Sequence, residues 1–186
     1  MIKNYIQESL DLKKALLGDA DFIGAIEEAV EVLSGCFKRG NKILIAGNGG
    51  SAADAQHFAA EIVGRYKKKR KGYPVIALTT DSSILTAWSN DYDFDNVFER
   101  QIEALGKTGD VFLGISTGGN SENIIKAADK AKKMKMRTIC LLGRKGKLKK
   151  KADVCIMVPS DNIPRIQETH IMALHIIVEE LETGFS

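Results

Sequence analysis

Two short loops of serine, threonine, asparagine and glycine carry the most legible chemistry in this chain. Gly47-Asn48-Gly49-Gly50-Ser51 follows the apolar run 42–46, and Ser116-Thr117-Gly118-Gly119-Asn120-Ser121 follows the apolar run 111–115. A loop that leads from a strand into a helix presents free backbone N–H groups at the positive end of the helix dipole, and so attracts anions, phosphate above all. Glycine lets the backbone approach the ligand, and hydroxyls add donors. Two such loops in one small α/β chain point to a phosphorylated small molecule held at the carboxyl ends of the strands.

A second set of residues could move protons or bind a metal. His57 lies on the helix that the first loop opens, and Glu61 follows at i+4 on the same face. An imidazole and a carboxylate so spaced can chelate one metal ion or form an acid/base pair, and they can equally be a surface hydrogen-bonded pair. His170 and His175 lie on the last helix, five residues apart. That spacing turns them roughly 140° from each other, so they do not face one site. Gln167 is offset by roughly 80° from His175 and Glu168 by only about 20°, so spacing favours Glu168 as the companion of His175 without settling the choice.

These residues need elements to place them. Apolar periodicity predicts helices over about 2–17 and 21–39, with Gly40 ending the second. Five Val/Ile/Leu-rich runs, 42–46, 75–79, 111–115, 138–142 and 154–158, fit strands buried on both faces. Helical segments are expected at 52–66, 83–88, 94–104 and 121–134, and a last helix from Pro164 to about 181. Strand–helix alternation with short connections implies a three-layer α/β/α sandwich around a five-stranded parallel sheet of flavodoxin-like type. The chain reads as one domain, 1–186, with N-terminal helices over 1–40 and the α/β core and C-terminal helix over 41–186.

Composition narrows the function classes. The chain has 186 residues, is 44% hydrophobic and carries a net charge of +3, which fits one soluble globular domain and no nucleic-acid partner. The basic stretch 67–71 has no aromatic stacking motif beside it and reads as a solvated helix end, and 145–151 reads the same way. No apolar run is long enough to cross a bilayer, and the N-terminus lacks a signal-peptide pattern, so the reading is cytoplasmic with no membrane partner. Cys36, Cys140 and Cys155 have no C-x-x-C spacing and read as reduced, buried thiols.

Taken together, these motifs resemble the sugar isomerase (SIS) domain and, within that superfamily, the bacterial phosphoheptose isomerases. The resemblance spans nearly the whole chain. It rests on the two loops, on Asp54-Ala55-Gln56-His57-Phe58-Ala59-Ala60-Glu61, Gly64-Arg65, Ala77-Leu78 and Ser89-Asn90-Asp91, and on Arg165-Ile166-Gln167-Glu168-Thr169-His170. It implies an aldose–ketose isomerase that converts sedoheptulose 7-phosphate to D-glycero-D-manno-heptose 7-phosphate through an enediol, at the first step of nucleotide-activated heptose biosynthesis for lipopolysaccharide or capsule. It implies a homotetramer with sites at subunit interfaces, and one zinc ion per subunit held by His57, Glu61, Gln167 and His175. In this reading Glu61 is the catalytic base and His175 its acid partner. Ser116, Thr117, Gly118 and Ser121 would hold phosphate. Asn48, Gly49, Gly50, Ser51, Asn90 and Asp91 would meet sugar hydroxyls, with Arg65 adding charge, or alternatively forming a helix-end ion pair. Serine is expected where Gly118 stands, and Trp88 beside Ser89 is unusual and reads as core packing. The alternative functions are a non-catalytic SIS tetramer that binds a replication initiator and a sugar-phosphate-sensing regulator. Neither requires Glu61 or His175, and this chain has both.

Overall fold

The computed structural model describes residues 1–184. The helices are α1 (Ile2–Leu17), α2 (Ala20–Lys38), α3 (Gly50–Val63), α4 (Ser82–Asp91), α5 (Val97–Leu105), α6 (Glu122–Lys133) and α7 (Ile163–Gly184). The strands are β1 (Ile43–Gly47), β2 (Val75–Ala77), β3 (Val111–Ser116), β4 (Arg137–Leu142) and β5 (Val154–Met157), with short 3₁₀ turns at Phe94–Asn96 and Lys147–Lys150. The strands form one parallel sheet in the order β2-β1-β3-β4-β5.

Alternate strand residues supply two cores. Ile43, Ile45, Leu113, Ile115, Ile139 and Leu141 pack beneath α2, α3 and α7. Leu44, Ala46, Phe112, Cys140 and Leu142 pack beneath α5 and α6. The three-layer expectation therefore holds, and β1, β3 and β4 are buried on both faces save Arg137. The edge strands depart from it. Ile76 on β2 is exposed, and Cys155 and Met157 on β5 are half-buried, because each edge strand is covered less fully. β2 also stops at Ala77, whose carbonyl accepts the Thr80 hydroxyl at 3.0 Å as the chain turns away.

Strand order explains why the two loops share one crevice. From β1 the chain crosses to β2 at one edge, then returns past β1 to β3. The carboxyl ends of β1 and β3 are therefore the switch point of the sheet, where a ligand-sized gap opens. Below, at the amino ends of the same strands, buried Asp110 accepts from Lys42 Nζ at 2.5 Å, from Asn41 Nδ2 at 3.0 Å and from the Lys107 N–H at 2.9 Å. Burial alone would raise the Asp110 pKa, but these donors outweigh it and hold the carboxyl below its usual range.

Several helix limits differ from the periodicity reading. α3 ends at Val63 rather than near 66, because Gly64 breaks it. The 94–104 segment divides into a 3₁₀ turn and α5, where Asp93 caps the turn through the Asp95 N–H at 2.8 Å. α4 continues to Asp91, so Asn90 and Asp91 sit in its last turn rather than in a loop beyond it. Cys36 and Cys140 are buried free thiols, as expected, and burial raises both pKa values, that of Cys36 to about 11.

His170 is fully buried on α7, with the Leu142 backbone beside its ring but no well-formed hydrogen bond at either nitrogen. Burial drives its pKa down from 6.5 to about 4, and the Leu142 backbone offsets this only in part. Above pH 6.5 both native and unfolded His170 are neutral. Between pH 6.5 and 4 the unfolded chain takes up a proton that the native chain refuses, so stability declines as pH falls through that window. The difference amounts to about 3 kcal/mol at most. Denaturant midpoints measured from pH 7 to 4 should fall more steeply for the natural chain than for His170→Leu, and parallel slopes would contradict this.

Candidate functional site

Helices α3 and α6 begin at the crevice with free amino ends. Gly49, which caps α3, adopts φ +55° and offers no side-chain acceptor. Ser121 precedes α6, and its hydroxyl bonds Ser116 Oγ at 2.9 Å instead of capping its own helix. By contrast, α2 and α4 are capped by Asp19 and Asp81, each at 3.0 Å. The two helix starts at the crevice thus keep backbone donors for a ligand.

The second loop is held from behind. Ser116 is buried and accepts the Gly119 N–H at 3.1 Å, and the Thr117 carbonyl accepts the Gly143 N–H at 3.0 Å. Gly119 adopts φ +63° and lies so close to Gly146 and the Lys145 carbonyl that an added Cβ would stand 2.5 Å from that oxygen. Gly118 is different, since a Cβ there meets nothing within 4 Å. The expected serine would fit, so its absence removes a hydroxyl without reshaping the loop. In the first loop, the Asn48 amide pairs reciprocally at 2.9 Å with that of Asn123 in the first turn of α6, while Ser51 is buried.

Two turns further along α3, three functional side chains meet. His57 Nε2 stands 3.2 Å from Glu61 Oε1 and 2.9 Å from Nε2 of His175, which comes from α7. The ligand-capable atoms of all three lie within 4.8 Å of one another. Nitrogens bound to one tetrahedral zinc stand about 3.3 Å apart, so a few tenths of an ångström of side-chain movement would fit the imidazoles to such an ion. This is more than a surface hydrogen-bonded pair, because His175 arrives from a second helix, 118 residues away in the chain.

The remaining predicted residues divide. Gln167 rests its amide against Gly50 in the first turn of α3, where a Cβ on Gly50 would stand 2.5 Å from Gln167 Nε2. Glu168, which spacing favoured, faces α1 instead. It accepts from Ser9 at 2.8 Å and pairs with Arg165 at 2.8 Å, so the residue that the angular offset favoured is engaged by α1. Arg65 is exposed and makes no ion pair or hydrogen bond among the described residues, so it is not a helix-end ion pair. Asn90 and Asp91 are exposed on α4 and bonded to each other at 2.9 Å. Trp88 packs at the margin of the second core, stacked on Tyr92 with centroids 4.2 Å apart. Asp54, one turn before His57, was given no role by spacing. One of its oxygens is buried and unbonded, and burial raises its pKa against the opposing pull of His57. Its i−3 position from His57 was the signal for it.

The stretch 67–71 is not a solvated helix end. Beyond Gly64 the chain wraps the buried Glu182 carboxylate, which accepts the backbone N–H groups of Tyr66 at 3.3 Å, Lys67 at 2.9 Å and Lys68 at 2.9 Å. Arg70 Nε joins it at 3.2 Å, and the same guanidinium donates to the carbonyls of Glu61 and Ile62, each at 2.8 Å, which caps α3. Burial would raise the Glu182 pKa, but the three N–H donors and Arg70 outweigh it and hold the carboxyl below its usual range. Glu182→Gln takes the Glu182 charge away from this buried guanidinium. Breaking such a pair costs about 3 kcal/mol, the lower end of the range since Arg70 keeps its carbonyl acceptors. Urea denaturation of Glu182→Gln should show that loss near pH 7, and an unchanged midpoint would contradict the assignment.

The chain is similar to known proteins over nearly its whole length. Residues 4–143 match the family described as SIS domain. The phosphoheptose isomerase of Sulfurimonas denitrificans is 50% identical over 182 residues, spanning 97% of this chain and 93% of that one. That of Helicobacter pylori is 49% identical over 185 residues, spanning 99% and 95%. Among solved structures, the phosphoheptose isomerase of Neisseria gonorrhoeae superposes with a TM-score of 0.92 at 41% identity, covering 98% of this chain and 97% of that one.

Proposed function

The chain belongs to the SIS-domain family, and from that premise we propose that it is a phosphoheptose isomerase, which interconverts sedoheptulose 7-phosphate and D-glycero-D-manno-heptose 7-phosphate. The observation that carries this reading is the meeting of Glu61 and His175, from two helices, beside a crevice with two uncapped helix starts. A scaffold or a sensor would need the crevice but not that pair. The relatives at about half identity over nearly the full length carry the name of this enzyme.

The chemistry follows from the groups. Ser116, Thr117, Gly118 and Ser121 bind the phosphate through hydroxyls and backbone N–H groups. Asn48, Gly49, Gly50, Ser51, Asn90 and Asp91 meet the sugar hydroxyls, and Arg65, exposed near the end of α3, offers its charge to the substrate. Glu61 takes the proton from C1 of the ketose, and the C1–H electron pair becomes the C1=C2 double bond of an enediol as the carbonyl oxygen at C2 gains a proton from His175. Glu61 then returns its proton to C2, and His175 accepts the one leaving the C1 hydroxyl, which gives the aldose.

His57, Glu61, Gln167 and His175 would hold one zinc ion per subunit, as the approach of the two imidazoles allows. When bound, that ion would polarise the sugar carbonyl. The enzyme works in the cytoplasm as a homotetramer with its sites at subunit interfaces. Among the described residues no helix is long and apolar enough to cross a membrane. The outward apolar side chains Ile2, Tyr5, Ile6 and Leu17 on α1 support burial against a partner copy.

Purified protein supplied with zinc should convert sedoheptulose 7-phosphate, and not unphosphorylated sedoheptulose, to an aldose. No turnover of any ketose phosphate would overturn the reading. Ser121→Ala removes one donor to a charged group, worth about 1.5–3 kcal/mol, and should weaken substrate binding roughly ten- to a hundredfold. An unchanged dissociation constant by calorimetry would move the phosphate to the Gly47–Ser51 loop.

A further inference from the structure

The face of α7 that carries His175 continues through Glu179 and Glu182, at i+4 and i+7. The chain beyond α3 runs along this face in register. The Tyr66 ring stacks on the His175 imidazole, with centroids 5.9 Å apart and planes inclined by 23°. Next, the Lys67 ammonium pairs with Glu179. The N–H groups of residues 66–68 then close on the Glu182 carboxylate. At its far end the segment returns to α3 through Arg70, which donates to the Glu61 carbonyl itself. One short strap therefore touches both members of the proposed proton-transfer pair.

We propose that Tyr66 is a positioning residue that sets the orientation of the His175 imidazole, held in place by the Glu182–Arg70 clamp. The torsion that turns an imidazole about its Cβ–Cγ bond is broad and weakly restrained. His175 meets His57 edge-on, with ring planes at 70°, and Tyr66 covers a face of the same imidazole. Between the two rings, Nε2 is held toward His57 and Glu61. Tyr66 is itself half-buried against the first core, so the platform does not swing freely. Aromatic stacking of this kind adds to the effect of burial alone. Groups that orient metal-binding imidazoles typically change metal affinity or activity by 10–100-fold when removed.

The kinetic arm of the test rests on the isomerase reading, and the metal arm does not. Zinc affinity is measured by competition with a chromogenic chelator, and kcat and KM with sedoheptulose 7-phosphate, on full-length Tyr66→Leu, Tyr66→Phe and Lys67→Ala. Tyr66→Leu should lose about tenfold or more in zinc affinity and in kcat, with KM changed by less than about twofold. Tyr66→Phe keeps the ring and should match the natural chain in both. Lys67→Ala removes an exposed ion pair and the ammonium 5.4 Å from the Tyr66 ring centroid but leaves that ring in place, and should also match it. If Tyr66→Leu fails to fold, Tyr66→Met fills the space without a ring and carries the same expectation. Natural zinc affinity in the ringless variant, or an equal loss in Tyr66→Phe, would overturn the proposal. If the natural chain isomerises no ketose phosphate, the isomerase reading fails, and the zinc comparison still decides the role of Tyr66.

Discussion

The carboxylate of Glu182 gathers three backbone N–H groups and one guanidinium near the end of α7, and through them ties the end of α3 to that helix. The site depends on this tie. Gln167 meets Gly50 at the first turn of α3, His175 meets His57 at its middle, and Glu182 holds the segment just past its end. Three contacts in the same order along both helices mean that α3 and α7 run parallel. Slippage of either by one turn, about 5.4 Å, would separate the two imidazoles. A buried ion pair of this kind adds little net stability compared with apolar packing, and its value here is in fixing register.

The sheet sets the other half of the site. Its strand order puts the carboxyl ends of β1 and β3 side by side, with α3 leaving to one face and α6 to the other. The first loop is joined to the first turn of α6, directly after the second loop, by the Asn48–Asn123 amide pair. The backbone is held in tight turns there: Gly49 and Gly119 take positive φ, and Gly119 lies against Gly146. The result is a crevice with two uncapped helix starts, about two helical turns from the cluster of His57, Glu61 and His175.

Much of this was legible in the chain. Parallel strands buried on both faces write themselves as short Val/Ile/Leu runs, so the sheet could be read, apart from its thinly covered edges. The Ser/Gly loops were legible because few other local sequences suit a helix start that must approach a ligand. His57 and Glu61 were legible because i+4 spacing is local. The partner of that pair was not, since no local rule says which face of α7 will meet α3. Angular offset favoured Glu168 without settling the choice, and Glu168 bonds Ser9 of α1 and its α7 neighbour Arg165. The family resemblance pointed to Gln167, whose amide rests at the start of α3. The stretch 67–71 was misread for the same reason. Its charges look like solvated lysines until a carboxylate more than a hundred residues away collects the backbone beneath them.

The central claim is that Glu61, set by these two helices, transfers the proton between C1 and C2. The direct measurement is solvent exchange in D₂O, followed by NMR, with the natural chain and Glu61→Gln, each checked for zinc content. The natural chain should incorporate deuterium at the carbon next to the sugar carbonyl. Glu61→Gln keeps the shape, removes the base, and should slow incorporation by about 10²–10⁴-fold. Exchange at the natural rate in a folded, zinc-loaded Glu61→Gln protein would contradict the account and pass the role of base to His175.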